Sequence, residues 1–239
     1  MNPLSFYSHQ QLDQSDKDAA MAVLDGDYLT TGPLVPAFEA ALREYIGAVD
    51  VVVVANGSVA LFIALVANGV LPGDEVVTTP LTFVATANAI EATGARAVFS
   101  DIEEDTWLLK TPMVGEKVTA LVPVSFGGVP VWDGRKFMRP PVVIEDAAHA
   151  LGAVRQDGRK VGSTWCATFS FHPVKTITSG EGGAIAFDNQ ELAKRAREIR
   201  DNGRRDGECV RAGLNYRMSD IHAALGISQL KRIDQFLAK

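Results

Sequence analysis

A single lysine, Lys175, lies between two short apolar runs, residues 164–171 and 183–187. The motif Phe169-Ser-Phe-His-Pro-Val-Lys175 leads into the glycine-rich bend Gly180-Glu-Gly-Gly183. Both runs read as buried strands. An ammonium group held among Pro, Val, Ile and small polar residues is costly to bury without a partner. Its pKa should therefore fall, and a neutral amine on such a turn is a nucleophile suited to forming an imine with a carbonyl compound. The plainer alternative is a lysine that lays its stem along the surface and keeps its charge in water.

Three further groups could share a site with that amine. The apolar strand 51–55 runs into Asn56-Gly-Ser58 and then directly into a helix over 59–68. A helix N-terminus offers free N–H groups and a positive dipole end, so Gly57 and Ser58 form a candidate anion site, although Asn-Gly-Ser is also an ordinary turn and cap. Phe83 follows the strand 74–80 at the start of a helix over 82–90, where it can stack on a flat ring or belong to the core. The apolar strand 141–144 ends in Glu145-Asp146-Ala-Ala-His149. Successive strand residues point to opposite faces, so one carboxylate should face a ligand crevice while the other makes structural contacts.

Short apolar strands alternate with helices from residue 51 to residue 187, with a further strand over 96–102 and one over 119–126. This rhythm predicts an α/β fold, a mostly parallel sheet with helices on both faces. The flanking helices are expected over 15–23 with Ser15 as N-cap, 33–46, 189–202, and 220–237 capped by Ser219. Residues 203–213 read as a polar loop, and residues 29–32 as a connector able to line a cleft. With 239 residues, 47% hydrophobic and 22% charged, the chain can bury a substantial core. Its net charge of −6, with acidic and basic residues interleaved over 195–211, argues against a nucleic-acid surface. No apolar run is long enough for a bilayer span, and residues 1–10 lack a signal-peptide pattern, so a cytoplasmic location is expected. Cys166 and Cys209 lack metal-ligand spacing and read as a buried core thiol and a loop thiol.

The parallel strands bring an amine (Lys175), an anion site (Gly57, Ser58, with the Ser170 hydroxyl), an aromatic face (Phe83) and a carboxylate (Asp146) to one set of strand ends. These answer the needs of pyridoxal 5′-phosphate: an amine for its aldehyde, donors for its phosphate, a stacking face for its ring and an acid partner for its pyridine nitrogen.

Asn56-Gly-Ser58, Thr79-Pro-Leu-Thr-Phe83, Glu145-Asp-Ala-Ala-His149, Phe169-Ser-Phe-His-Pro-Val-Lys175, Gly180-Glu-Gly-Gly183 and Asn215-Tyr-Arg-Met-Ser-Asp220 resemble, in order, motifs of the DegT/DnrJ/StrS sugar-nucleotide aminotransferases. The resemblance runs from Tyr28 to the C-terminus and implies a three-layer α/β/α fold, the large domain of a fold type I pyridoxal-phosphate transferase. By resemblance Lys175 is the Schiff-base lysine and proton shuttle, Asp146 pairs with the pyridine nitrogen and Phe83 stacks on the ring. His149, where many relatives carry Gln, approaches the 3-hydroxyl, and Gly57, Ser58 and Ser170 hold the phosphate. Asn215 reaches the phosphate of a second subunit, so a homodimer with a shared active site is implied, with Tyr216 and Arg217 as further contributors. Lys175 itself separates the chain from the family's sugar dehydrases, which carry histidine there.

The wording Phe171-His-Pro-Val-Lys-Thr-Ile-Thr178 leans towards the branch that aminates C4 of a UDP-linked 4-keto-6-deoxy-N-acetylhexosamine on the route to pseudaminic acid, with glutamate as amino donor. Residues 1–239 are expected to form the large domain: helices over 13–46, an α/β core over 51–187, and helices over 189–239. By resemblance, relatives continue into a smaller C-terminal domain, which residues 1–239 are expected not to include, and residues 128–141 are expected to be too few for the helix that relatives carry there. A non-catalytic or regulatory pyridoxal-phosphate binder derived from such an enzyme is the alternative reading, and a different reaction of the same cofactor on an amino acid is a third.

Overall fold

The computed structural model describes residues 9–110, 117–131 and 142–239. The readings of residues 1–8 and 132–141 lie outside them. The four valines of β1 (Asp50–Val54) are all buried, as its unalternating pattern requires. The sheet continues with β2 (Glu75–Thr78), β3 (Arg96–Phe99), β4 (Val118–Val122), β5 (Val142–Asp146), β6 (Cys166–Ser170) and β7 (Gly183–Phe187). Their order is β1-β7-β6-β5-β4-β2-β3. Only β7 runs against its neighbours, pairing antiparallel with both β1 and β6, while every other pair is parallel. The carboxyl ends of six strands therefore share one edge, and the loops that leave them can meet there.

Helices cover both faces. On one side α3 (Gly57–Ala67), α4 (Ala85–Ala92) and α5 (Gln190–Arg200) pack on Val52, Val54, Val76, Val122, Ile144 and Ile185. On the other, α2 (Leu34–Ile46), α6 (Asp220–Leu230) and α7 (Ile233–Leu237) cover Val51, Val53, Ala167, Phe169 and Ala184. Alternate residues of one strand feed the two cores, which gives the three-layer α/β/α sandwich expected from the strand–helix rhythm. On α2, Phe38, Leu42 and Ile46 are buried at helical spacing. Cys166 is a buried free thiol and Cys209 an exposed one.

Several boundaries differ from the sequence expectation. The first helix, α1 (Gln14–Leu24), is capped by Asp13, whose carboxylate accepts from Ser15 N and Asp16 N, while the Asp16 side chain accepts from Asp13 N. This reciprocal box satisfies more end groups than a Ser15 cap. The polar stretch 203–213 contains a short hairpin, β8 (Arg204–Arg205) with β9 (Glu208–Cys209). It is folded back on α5 because buried Glu198 accepts from Arg205 Nε and Arg211 Nε, each at 2.5 Å. The expected continuous last helix breaks at Arg232, whose guanidinium pairs with Asp13, the cap of α1, and with Asp16 in its first turn. Residues 29–32 are drawn to α6 by Asp220, which accepts from Gly32 N at 2.8 Å and Leu34 N at 2.9 Å.

Candidate active site

Asn56 caps α3 by accepting from Val59 N at 2.9 Å, and the N–H groups of Gly57 and Ser58 in the first turn have no intrahelical acceptor. The helix end sits directly on the neighbouring strands. A Cβ added at Gly57 would lie 2.9 Å from Ser170 Cβ, and one at Gly183 would lie 2.5 Å from the Asn56 carbonyl. Glycine at both positions is thus what lets the α3 N-terminus, exposed Ser58 and the Ser170 hydroxyl form one cup. Free N–H groups, a positive dipole end and two hydroxyls suit a phosphate.

Asp146, at the end of β5, is buried, and among the described residues no cation pairs with it directly. Its Oδ2 accepts from Thr86 Oγ1 at 2.7 Å and its Oδ1 from Ala148 N at 3.2 Å. Burial pushes its pKa up, opposed by the Thr86 and Ala148 hydrogen bonds and then by the charges of Lys175 and His149. Its neighbour Glu145 points the other way, to Ser125 Oγ at 2.6 Å, Trp165 Nε1 at 2.9 Å and the buried guanidinium of Arg155. The two carboxylates divide as strand alternation requires: one braces the fold, the other faces the crevice.

Lys175 occupies the β6–β7 loop, where its N–H donates to the His172 carbonyl at 2.9 Å. The loop base is braced by Phe171 N to Gly182 O at 2.8 Å and Ser179 N to Phe171 O at 3.0 Å, and buried Ile177 anchors it. The amine is half-buried, and desolvation holds its pKa below the usual lysine value against the opposing pull of Asp146. His149 stands exposed at the rim, its pKa lowered by partial desolvation and then by Lys175. Lys175, Asp146 and His149 thus act electrostatically on one another.

Phe83 is 77% exposed at the same edge, which removes the core alternative. Asn215 is exposed, bridges to Asp201, and accepts from Arg217 N at 3.3 Å. Its neighbour Tyr216 accepts from Ala55 N at 2.9 Å, so the segment passes the end of β1. Thr86 was not singled out from sequence, because a threonine inside a helix looks ordinary; its i, i+4 spacing from Thr82 was the available signal. Among the described residues no group of His, Cys, Asp and Glu suits a metal ion.

The arrangement fits pyridoxal phosphate: a buried acid without a cation for its ring nitrogen, a cup for its phosphate and a lysine of lowered pKa for its aldehyde. Comparison with known proteins agrees. The chain is 42% identical, over 98% of its length, to UDP-4-amino-4,6-dideoxy-N-acetyl-β-L-altrosamine transaminase of Campylobacter jejuni, and spans 66% of that protein. It superposes with TM-score 0.85 and 31% identity on Helicobacter pylori PseC, an aminotransferase of pseudoaminic acid biosynthesis, covering 96% of this chain and 66% of that one. A sugar aminotransferase of Streptococcus pneumoniae in its PMP form matches with TM-score 0.88 at 25% identity over 96% of this chain and 66% of its own. Pyridoxal phosphate is accordingly the cofactor that the comparisons indicate for this chain. Residues 10–239 match one family along their whole length, and the chain belongs to the DegT/DnrJ/EryC1/StrS aminotransferases.

Proposed function

We propose that this chain transaminates a nucleotide-linked keto-sugar, taking nitrogen from glutamate, and that the acceptor is a UDP-4-keto-6-deoxy-N-acetylhexosamine. The observation that carries the reading is the convergence of Lys175, Asp146 and His149 beside the cup at Gly57, Ser58 and Ser170. The 42% identity to a UDP-4-amino-sugar transaminase supports the choice of sugar. Product use in a surface polysaccharide and a cytoplasmic location belong to the same reading. No helix among the described residues is long and apolar enough to cross a membrane.

Pyridoxal phosphate, when bound, supplies an aldehyde that condenses with amines and a ring that accepts the electron pair of a cleaved C–H bond. The residues supply the rest. The Gly57 and Ser58 N–H groups and the Ser58 and Ser170 hydroxyls would hold the phosphate. The Asp146 carboxylate would keep the ring nitrogen protonated, which strengthens the ring as an electron sink. Phe83 would stack on the ring, and His149 would serve the 3-hydroxyl. Lys175 Nζ, its pKa lowered by desolvation, would be the amine that meets the aldehyde and the group placed to hold and move a proton at the reacting carbons. The exposed Asn215 segment is suited to complete the cup of a second subunit in a homodimer.

The test is formation of 2-oxoglutarate from glutamate with the UDP-keto-sugar as acceptor. The Lys175→Ala chain should produce none. Full turnover by that variant would overturn the assignment, and a wild-type chain that takes up cofactor without turning over would make it a binder.

A further inference from the structure

We propose that Thr86 is the positioning residue for Asp146, and that with Thr82 it forms a two-hydroxyl chain aiming this carboxylate at the cofactor's ring nitrogen. The inference rests on the functional reading above but concerns residues to which that reading gives no role. Thr86 is buried in the first turns of α4 and its Oγ1 donates to Asp146 Oδ2 at 2.7 Å. The hydroxyl has one proton, and a carboxylate can only accept. The Thr82–Thr86 contact, 2.7 Å between oxygens, is therefore donated by Thr82. A directed chain results, Thr82 to Thr86 to Asp146, in which each bond polarises the next.

Its terminus is the feature that matters. Asp146 is buried without a direct cation among the described residues, so desolvation works against its ionised form. The protein opposes this with the Thr86 hydroxyl on one oxygen and the Ala148 N–H on the other. The titratable groups facing it are Lys175 and His149, and α4 reaches it through the Thr86 hydroxyl. Thr86 thus fixes the rotamer and favours the charge, leaving the remaining lone pairs for an N–H donor across the crevice. Without that hydroxyl, Asp146 would be freer to rotate and easier to protonate, and a neutral acid binds a protonated ring poorly.

The experiment measures pyridoxal phosphate affinity by fluorescence titration, and the Asp146 carboxyl midpoint by carbon-13 NMR of the cofactor-free chain. Thr86→Val keeps the shape and removes the donor. It should raise Kd roughly tenfold, as expected for loss of a hydrogen bond to a charged group, and raise the Asp146 midpoint. Thr86→Ser, which keeps the donor, should stay within about twofold of wild type, and Thr82→Val, which loses only the outer hydroxyl, should show a smaller rise of about threefold. An unchanged Kd in Thr86→Val, or a Thr86→Ser chain as impaired as Thr86→Val, overturns the proposal. If Thr86→Val does not fold, Thr82→Val decides: a rise supports the chain of hydroxyls and no rise overturns it. A wild-type chain that takes up no cofactor would instead sink the functional reading, and the Asp146 midpoint would still test the Thr86 bond.

Discussion

Replacing Gly57 by alanine tests the phosphate cup where the structure states the outcome most sharply. The new Cβ would lie 2.9 Å from Ser170 Cβ and 3.2 Å from its Oγ, against about 3.5–4.0 Å for comfortable carbon contact. Either α3 retreats from β6 or Ser170 is displaced. Overpacking of this kind costs about 1–3 kcal/mol, which for a chain of this length lowers Tm by about 2–12 °C. Ser170→Gly removes both clashing atoms and leaves Ser170 Cα at 3.5 Å as the nearest neighbour. In that background Gly57→Ala should be neutral, or stabilising by up to about 1 kcal/mol, because alanine is the better helix residue. The four Tm values of the cofactor-free chains form a double-mutant cycle with an expected coupling of about 2 kcal/mol. An equal loss in both backgrounds would mean that the α3 N-terminus and Ser170 do not share one cup. Phosphate affinity should follow the same pattern, lost in Gly57→Ala.

Other consequences can be checked alongside. Arg155→Ala leaves Glu145 buried and unpaired and should cost about 3–5 kcal/mol in urea unfolding, whereas Glu145→Gln with Arg155→Met should recover much of it. The lowered pKa of Lys175 means that the folded chain binds fewer protons than the unfolded one between the folded midpoint and about pH 10.4, so stability rises with pH in that window. Lys175→Met should accordingly stabilise the cofactor-free chain below the folded midpoint and change little above about pH 10.4. Uniform stabilisation across that range would argue against a desolvated amine. For the same reason, cofactor capture by the wild-type chain should speed up at a lower pH than an ordinary lysine allows.

The placement of the candidate residues was legible where chemistry and periodicity coincide. Strand alternation separated Asp146 from Glu145 before their partners were visible, and the β6–β7 bend around Lys175 lay where its flanking apolar runs put it. Glycine spacing marked the α3 turn, but the reason for Gly57 is a close approach to Ser170 across the sheet, which sequence spacing cannot express. Thr86 escaped notice because its role depends on a carboxylate 60 residues away. Asp13 displaced Ser15 as a cap because two acidic residues three apart can satisfy each other's backbone. The break at Arg232 coincides with its ion pairs to Asp13 and Asp16 at the start of the first helix, a long-range pairing that sequence spacing does not express. The hairpin in residues 203–213 was hidden for the same reason: buried Glu198 organises it from α5.

The most direct measurement is the absorbance spectrum of the purified chain with pyridoxal phosphate, before and after excess glutamate, beside the Lys175→Ala variant. A visible band that moves to the near-ultraviolet with glutamate, and is absent from the variant, is the predicted result. No band in the wild-type chain, or an equal band in Lys175→Ala, would contradict the assignment of Lys175 and with it the proposed chemistry of the site.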